Sequence, residues 1–116
     1  MKKFLLLLCA FLTTGCAAQN FTTPSEVSKL LEQGAVLVDV RTEDEFESGH
    51  LERAVHLPYQ NILDLPDKIE LEKDTPIVVY CQSGRRSGIA KETLVEAGYT
   101  RVFNAGGYEG LKGKGL

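Results

Sequence analysis

Apolar positions along this chain fall into short blocks that switch between continuous runs and helical spacing. Two runs, AVLVDV at 35–40 and TPIVVY at 75–80, are almost unbroken and rich in valine. That pattern fits strands covered on both faces, because a strand with one wet face alternates apolar and polar positions. A briefer run, AVHLP at 54–58, is stopped by Pro58, and TRVFNA at 100–105 runs into Gly106-Gly107. Both are further strand candidates.

Between these runs the spacing is helical. Thr23-Pro24-Ser25-Glu26 has the form of a capping box with proline at the first helical position. Val27, Leu30 and Leu31 then share one face, and Gly34 ends the helix. Thr42 with Glu45 predicts a second, shorter capped helix that stops before Gly49. Ile89, Ala90, Leu94 and Ala97 line one side of a helix predicted over 87–97 and closed by Gly98, and a short terminal helix follows the Gly-Gly pair. Residues 59–73 remain open, since Ile62, Leu63, Leu65 and Ile69 could line a helix that Pro66 interrupts. Short strands alternating with helices predict an α/β fold. Its sheet is four- or five-stranded and mostly parallel, with right-handed crossovers and helices on both faces.

The N-terminus changes the domain count. Lys2 and Lys3 precede the uncharged FLLLLCAFL at 4–12, followed by the small residues TTGCAA. A basic start, a short apolar core and a small-residue cleavage region describe a secretory signal over residues 1–18. Its core falls short of the roughly 20 residues a spanning helix needs. Two processing routes stay open. Cleavage after Ala18 releases a domain over 19–116. Alternatively Leu12-Thr13-Thr14-Gly15-Cys16 resembles a lipoprotein box, with Thr13 where leucine is commonest. That route removes residues 1–15 and leaves a lipid anchor on Cys16. Both routes lead to the periplasm or cell envelope, as a soluble or a lipid-anchored protein. Losing the leader's two lysines takes the chain from 13 basic against 16 acidic residues to 11 against 16. That balance argues against nucleic acid as a partner.

Three cysteines are present, but Cys9 leaves with the leader and Cys16 is either removed or acylated. Cys81 is then the one free thiol of the mature chain. An unpaired cysteine in an exported protein is intermolecular, reactive, or a small buried hydrophobe. The segment YCQSGRRSG at 80–88 favours the reactive alternative. Cys81 closes a predicted strand and a helix begins near Ser87, so the loop lies where open parallel sheets bind ligands. Unpaired N–H groups of such a loop and of the helix start form an anion nest, and Gly84 supplies a positive-φ position. Arg85 and Arg86 add positive charge, and this surrounding favours thiolate over thiol. A phosphatase loop carries its arginine six positions after the cysteine. Here Arg86 stands at five, a ring too tight for phosphate and suited to a sulfur carried on Cys81 itself.

Three segments in order resemble the rhodanese family: VDVRTEDEFESGHL at 38–51, CQSGRRS at 81–87 and AGYTRVFNAGGYEGLKGKG at 97–115. The resemblance implies a rhodanese-like three-layer domain and a sulfurtransferase. In it Cys81 takes sulfane sulfur from thiosulfate or a similar small anionic donor. The resulting persulfide passes to a thiol or cyanide acceptor. The same resemblance places Gln82, Ser83, Gly84, Arg85, Arg86 and Ser87 around the substrate and requires no metal or organic cofactor. A monomer is the expected state. The competing expectation is a persulfide carrier that serves a protein partner with little small-molecule turnover. Gln82 stands where many relatives carry arginine, Arg53 replaces a usual glycine, and Leu111 replaces a usual aromatic residue. Asp39 and Arg41 are expected to give structural support at a strand end, with Glu45 or Glu47 as the partner of Arg41. His50 is expected to serve the scaffold, and neither His50 nor His56 stands at metal-ligand spacing with Cys81.

Overall fold

The computed structural model describes residues 20–116, so the predicted leader, with Cys9 and Cys16, lies outside the described residues. Helix α1 (Pro24–Glu32) opens the fold with the expected capping box: Thr23 Oγ1 accepts from the Glu26 N–H, and Glu26 accepts from the Thr23 N–H. Strand β1 (Val36–Asp39) follows, then α2 (Glu43–Glu47), capped the same way by Thr42 and Glu45. Strand β2 is only Val55–His56. The open segment forms a 3-10 turn (Tyr59–Asp64) running into α3 (Leu65–Lys68), with Pro66 in the first turn of α3. There it interrupts nothing, because its missing N–H has no helical partner to lose. Strand β3 (Ile77–Cys81), α4 (Arg85–Glu96), β4 (Val102–Gly107) and α5 (Tyr108–Leu111) complete the chain.

The four strands pair in the order β2-β1-β3-β4, all parallel, which settles the strand count among the described residues. The two valine-rich runs are the central strands, and every residue of both is buried. Strand boundaries differ from the sequence expectation by one or two residues. Strand β3 reaches Cys81 itself, β4 runs on through the Gly-Gly pair, and β2 is shorter than 54–58 because Pro58 and the turn after it leave the ladder. Helix α4 starts at Arg85 rather than Ser87, since Gly84 at φ 99° already caps it.

Side chains of β3 alternate between two apolar clusters, as the pleat requires. Ile77, Val79 and Cys81 join Ala90 and Leu94 of α4 with Ile62 and Leu65 on one face. Val78 and Tyr80 join Val27 and Leu31 of α1 with Leu111 and Leu116 on the other. The register therefore aims the Cys81 side chain at α4. Replacing Leu94, fully buried in that layer, by alanine would cost about 2–5 kcal/mol.

Candidate active site

Asp39, Cys81 and Gly107 all stand at the carboxyl ends of their strands, β1, β3 and β4. An irregularity in the β3–β4 ladder between Val79 and Cys81 sets Cys81 opposite Gly107. This register brings the loop after β3 down onto the end of β4. A Cβ at Gly107 would collide with the Gln82 carbonyl oxygen, so the glycine is required by close backbone approach. The loop is roofed from a second direction by Phe21, whose Cδ2 would lie 2.7 Å from a Cβ at Gly106 and whose ring would clash with one at Gly84. The Thr22 N–H donates to the Asn104 carbonyl at 2.9 Å, which fixes this N-terminal segment against β4.

Within the loop the sulfur of Cys81 is enclosed by donors. The Gly84 N–H lies 3.0 Å from Sγ and the Ser87 hydroxyl 3.4 Å. Gly84 adopts positive φ, which turns its N–H inward at the start of α4. Burial pushes the Cys81 thiol up, but the Ser87 hydroxyl and the amides of Ser87, Ser83 and Gly84 draw it down further. The net position is below the ordinary cysteine value. Cys81 is the free cysteine among the described residues and is fully buried.

The expected site residues fall into three groups. Cys81, Gly84 and Ser87 meet at the sulfur, and Ser83 contributes through its amide. Gln82 turns outward, and its Oε1 accepts from Arg41 Nη1 at 3.1 Å. Arg86 does not aim its charge at the sulfur. Its guanidinium forks onto both carboxylate oxygens of Glu45, at 2.9 and 3.1 Å. Arg85 is exposed beside Asn20, Phe21 and Asn104.

Pairing of the strand-end charges differs from expectation. Arg41 is held by Asp39 rather than by Glu45 or Glu47: Nη2 lies 2.6 Å from Oδ2, and Nε contacts both oxygens. The reason is local. Asp39 turns back along its own strand end and also accepts from the Arg41 N–H at 2.9 Å, while Glu45 is taken up by its cap and by Arg86. Arg41 further donates to the Gly49 carbonyl at 2.7 Å and stacks over the Tyr108 ring at 4.6 Å. Both histidines pack against one phenylalanine of α2. Phe46 stacks on His50 and on His56, and His56 Nε2 binds the Arg41 carbonyl. Among the described residues no group of three or more His, Cys, Asp or Glu side chains is placed to hold a metal ion.

One residue of the site was missed from sequence. Asn104 on β4 accepts from Ser87 Oγ at 2.7 Å and from the Gly106 N–H at 3.0 Å, and it donates to the Gly84 carbonyl at 3.1 Å. Its only signal was an asparagine, a poor strand former, just before the Gly-Gly pair.

Among the described residues, one buried cysteine whose sulfur meets the Gly84 amide and the Ser87 hydroxyl stands at the carboxyl edge of a parallel sheet, where this fold class places its ligand sites. Comparison with known proteins fixes the family. The Rhodanese-like domain model matches residues 23–114, and the chain belongs to the rhodanese family. A relative named thiosulfate sulfurtransferase GlpE, from Pseudomonas savastanoi pv. phaseolicola, is 42% identical over 87 residues, 74% of this chain and 80% of the relative. Thiosulfate sulfurtransferase PspE of Escherichia coli is 36% identical over 74 residues, 64% of this chain and 71% of that one. A solved structure described as rhodanese with anions from E. coli superposes with a TM-score of 0.64 at 34% identity, covering 68% of this chain and 93% of its own.

Proposed function

We propose that the protein is a sulfurtransferase that carries sulfane sulfur as a persulfide on Cys81. The Cys81 thiolate attacks the outer sulfur of thiosulfate, a new S–S bond forms, and sulfite leaves with the electrons of the broken one. A thiol or cyanide then attacks the outer sulfur of the persulfide and the Cys81 thiolate departs, so the cycle needs no external oxidant or reductant. The observation that carries this reading is the enclosure of Sγ by the Gly84 amide, aimed at it, and by the Ser87 hydroxyl, within reach of it, two groups that can donate to negative charge on sulfur. The loop from Cys81 to Arg86 is too short a ring for a phosphate, which favours sulfur over phosphoryl chemistry.

Intact-protein mass spectrometry after incubation with thiosulfate, without reductant, tests it. One added sulfur atom, lost to cyanide as thiocyanate and not acquired by Cys81→Ser, is the expected result. A bare Cys81 that still reacts readily with an alkylating agent would leave the thiolate standing, overturn thiosulfate as donor and point to a carrier loaded by a protein partner. The leader pattern supports a place in the cell envelope, and fractionation with and without a lipoprotein signal peptidase inhibitor distinguishes a soluble from a lipid-anchored form.

A further inference from the structure

Asn104 has a side-chain orientation fixed by groups of unambiguous polarity. Its Oδ1 faces the Gly106 N–H at 3.0 Å, which can only donate, and its Nδ2 faces the Gly84 carbonyl at 3.1 Å, which can only accept. The atom presented to Ser87 at 2.7 Å is therefore an acceptor. Ser87 has one hydroxyl proton and stands between two acceptors, Oδ1 of Asn104 and, at 3.4 Å, Sγ of Cys81. It cannot serve both. While its proton is on Asn104, the Ser87 oxygen has lone pairs for the Cys81 S–H. When Cys81 is a thiolate, that proton must swing to the sulfur and Asn104 keeps only its backbone partners.

We infer that Asn104 is a positioning residue of the active site that acts on Cys81 through Ser87, competing with the sulfur for the single Ser87 proton. In the resting thiol the chain of donation runs from Cys81 to Ser87 to Asn104. Ionisation or persulfide formation reverses its first link and breaks the second. Asn104 thereby favours the protonated thiol through the Ser87 proton it accepts. Departure of the thiolate from the persulfide and its reprotonation are thus tied to one side chain on β4. The other charged and titratable groups around the loop are Arg85 and Arg86 on α4, Glu45 on α2, Tyr59 on the 3-10 turn, and Asp39 and Arg41 at the end of β1. Arg86 and Arg41 are already paired with the two carboxylates, so none of these competes for the Ser87 proton.

The inference rests on Cys81 as the reacting thiolate but not on any sulfur donor, so its test is independent of thiosulfate turnover. Titrate the ultraviolet thiolate band of Cys81, taken as the difference from Cys81→Ser, in the wild type, Asn104→Ala, Ser87→Ala and the double variant. Asn104→Ala should move the midpoint down, Ser87→Ala should move it up, and in the Ser87→Ala background the Asn104 change should have no further effect. A residue that only braced the loop would do otherwise. Its loss would move the midpoint up, with or without Ser87, and either result overturns the inference. A second measurement needs no change at Asn104. In acid, the infrared S–H stretch of Cys81 should lie below that of a free thiol and rise towards it in Ser87→Ala. An S–H band at the free-thiol position in the wild type would also overturn it.

Discussion

Arg86 on α4 and Glu45 on α2 meet through two hydrogen bonds of 2.9 and 3.1 Å, so the arginine that closes the cysteine loop is bound to a side chain 41 residues earlier. The pair ties the loop to the first helix after β1 and turns the guanidinium toward a carboxylate.

The acid limb of stability should report this pair. The Arg86 fork, with the Thr42 amide and hydroxyl behind it, holds the Glu45 carboxyl down at about 2. A carboxyl depressed in the folded state stabilises above its unfolded pKa of about 4.3, and that contribution disappears as pH falls through the folded value. Glu45→Gln keeps the helix cap but removes the ionisation. Its melting temperature should change less between about pH 4.5 and 2 than that of the wild type. Because Glu45 is 34% exposed, the loss at neutral pH should be no more than about 1 kcal/mol.

Asp39 and Arg41 should behave differently because both are buried, at 0% and 3% exposure. Asp39→Ala leaves a guanidinium without its counter-charge and should cost about 3–5 kcal/mol in denaturant titration. A loss as small as that of Glu45→Gln would mean that water reaches Arg41.

Two glycines three residues apart should respond in opposite ways. A Cβ at Gly107 meets the Gln82 carbonyl, which is backbone and part of the active loop, so Gly107→Ala should displace the loop and abolish sulfur loading. A Cβ at Gly110, inside α5, meets nothing within 4 Å. Gly110→Ala should fold normally and gain roughly 0.5–1 kcal/mol of helix stability. Parallel melts and mass-spectrometric loading of the two variants separate these effects.

The pH profile of alkylation should be set by hydrogen bonds more than by arginine charge. Cys81 should reach its half-maximal iodoacetamide rate at a lower pH than a simple cysteine peptide. Ser87→Ala should raise that midpoint more than Arg86→Ala does, because Ser87 leads the groups that draw the thiol down while Arg86 faces Glu45. The reverse order would return the arginine to the sulfur.

Much of this arrangement was legible along the chain, and the remainder was not for a consistent reason. Unbroken valine runs named the two central strands, Thr23 and Thr42 named two helix starts, and the glycine at 84 announced the positive φ that caps α4. Each of these signals is local. The pairing of Arg41 with Asp39 was missed because sequence offers several carboxylates at plausible spacing and only the turn after β1 chooses among them. Asn104 was missed because its partners Ser87 and Gly84 lie 17 and 20 residues away and are brought to it by the β3–β4 pairing. The Gly-Gly pair was visible as a motif, but that Gly107 makes room for the Gln82 carbonyl and Gly106 for Phe21 depends on the register.

Phe21 lies across Gly84 and Gly106, and the Thr22 N–H beside it is fastened to β4 at Asn104. Tension applied to the chain from its N-terminal end would therefore arrive first at the roof of the cysteine loop, before it reached any helix or the sheet interior. Mechanically, the segment that leads into the domain and the Cys81 loop are neighbours, and a load on one is felt by the other.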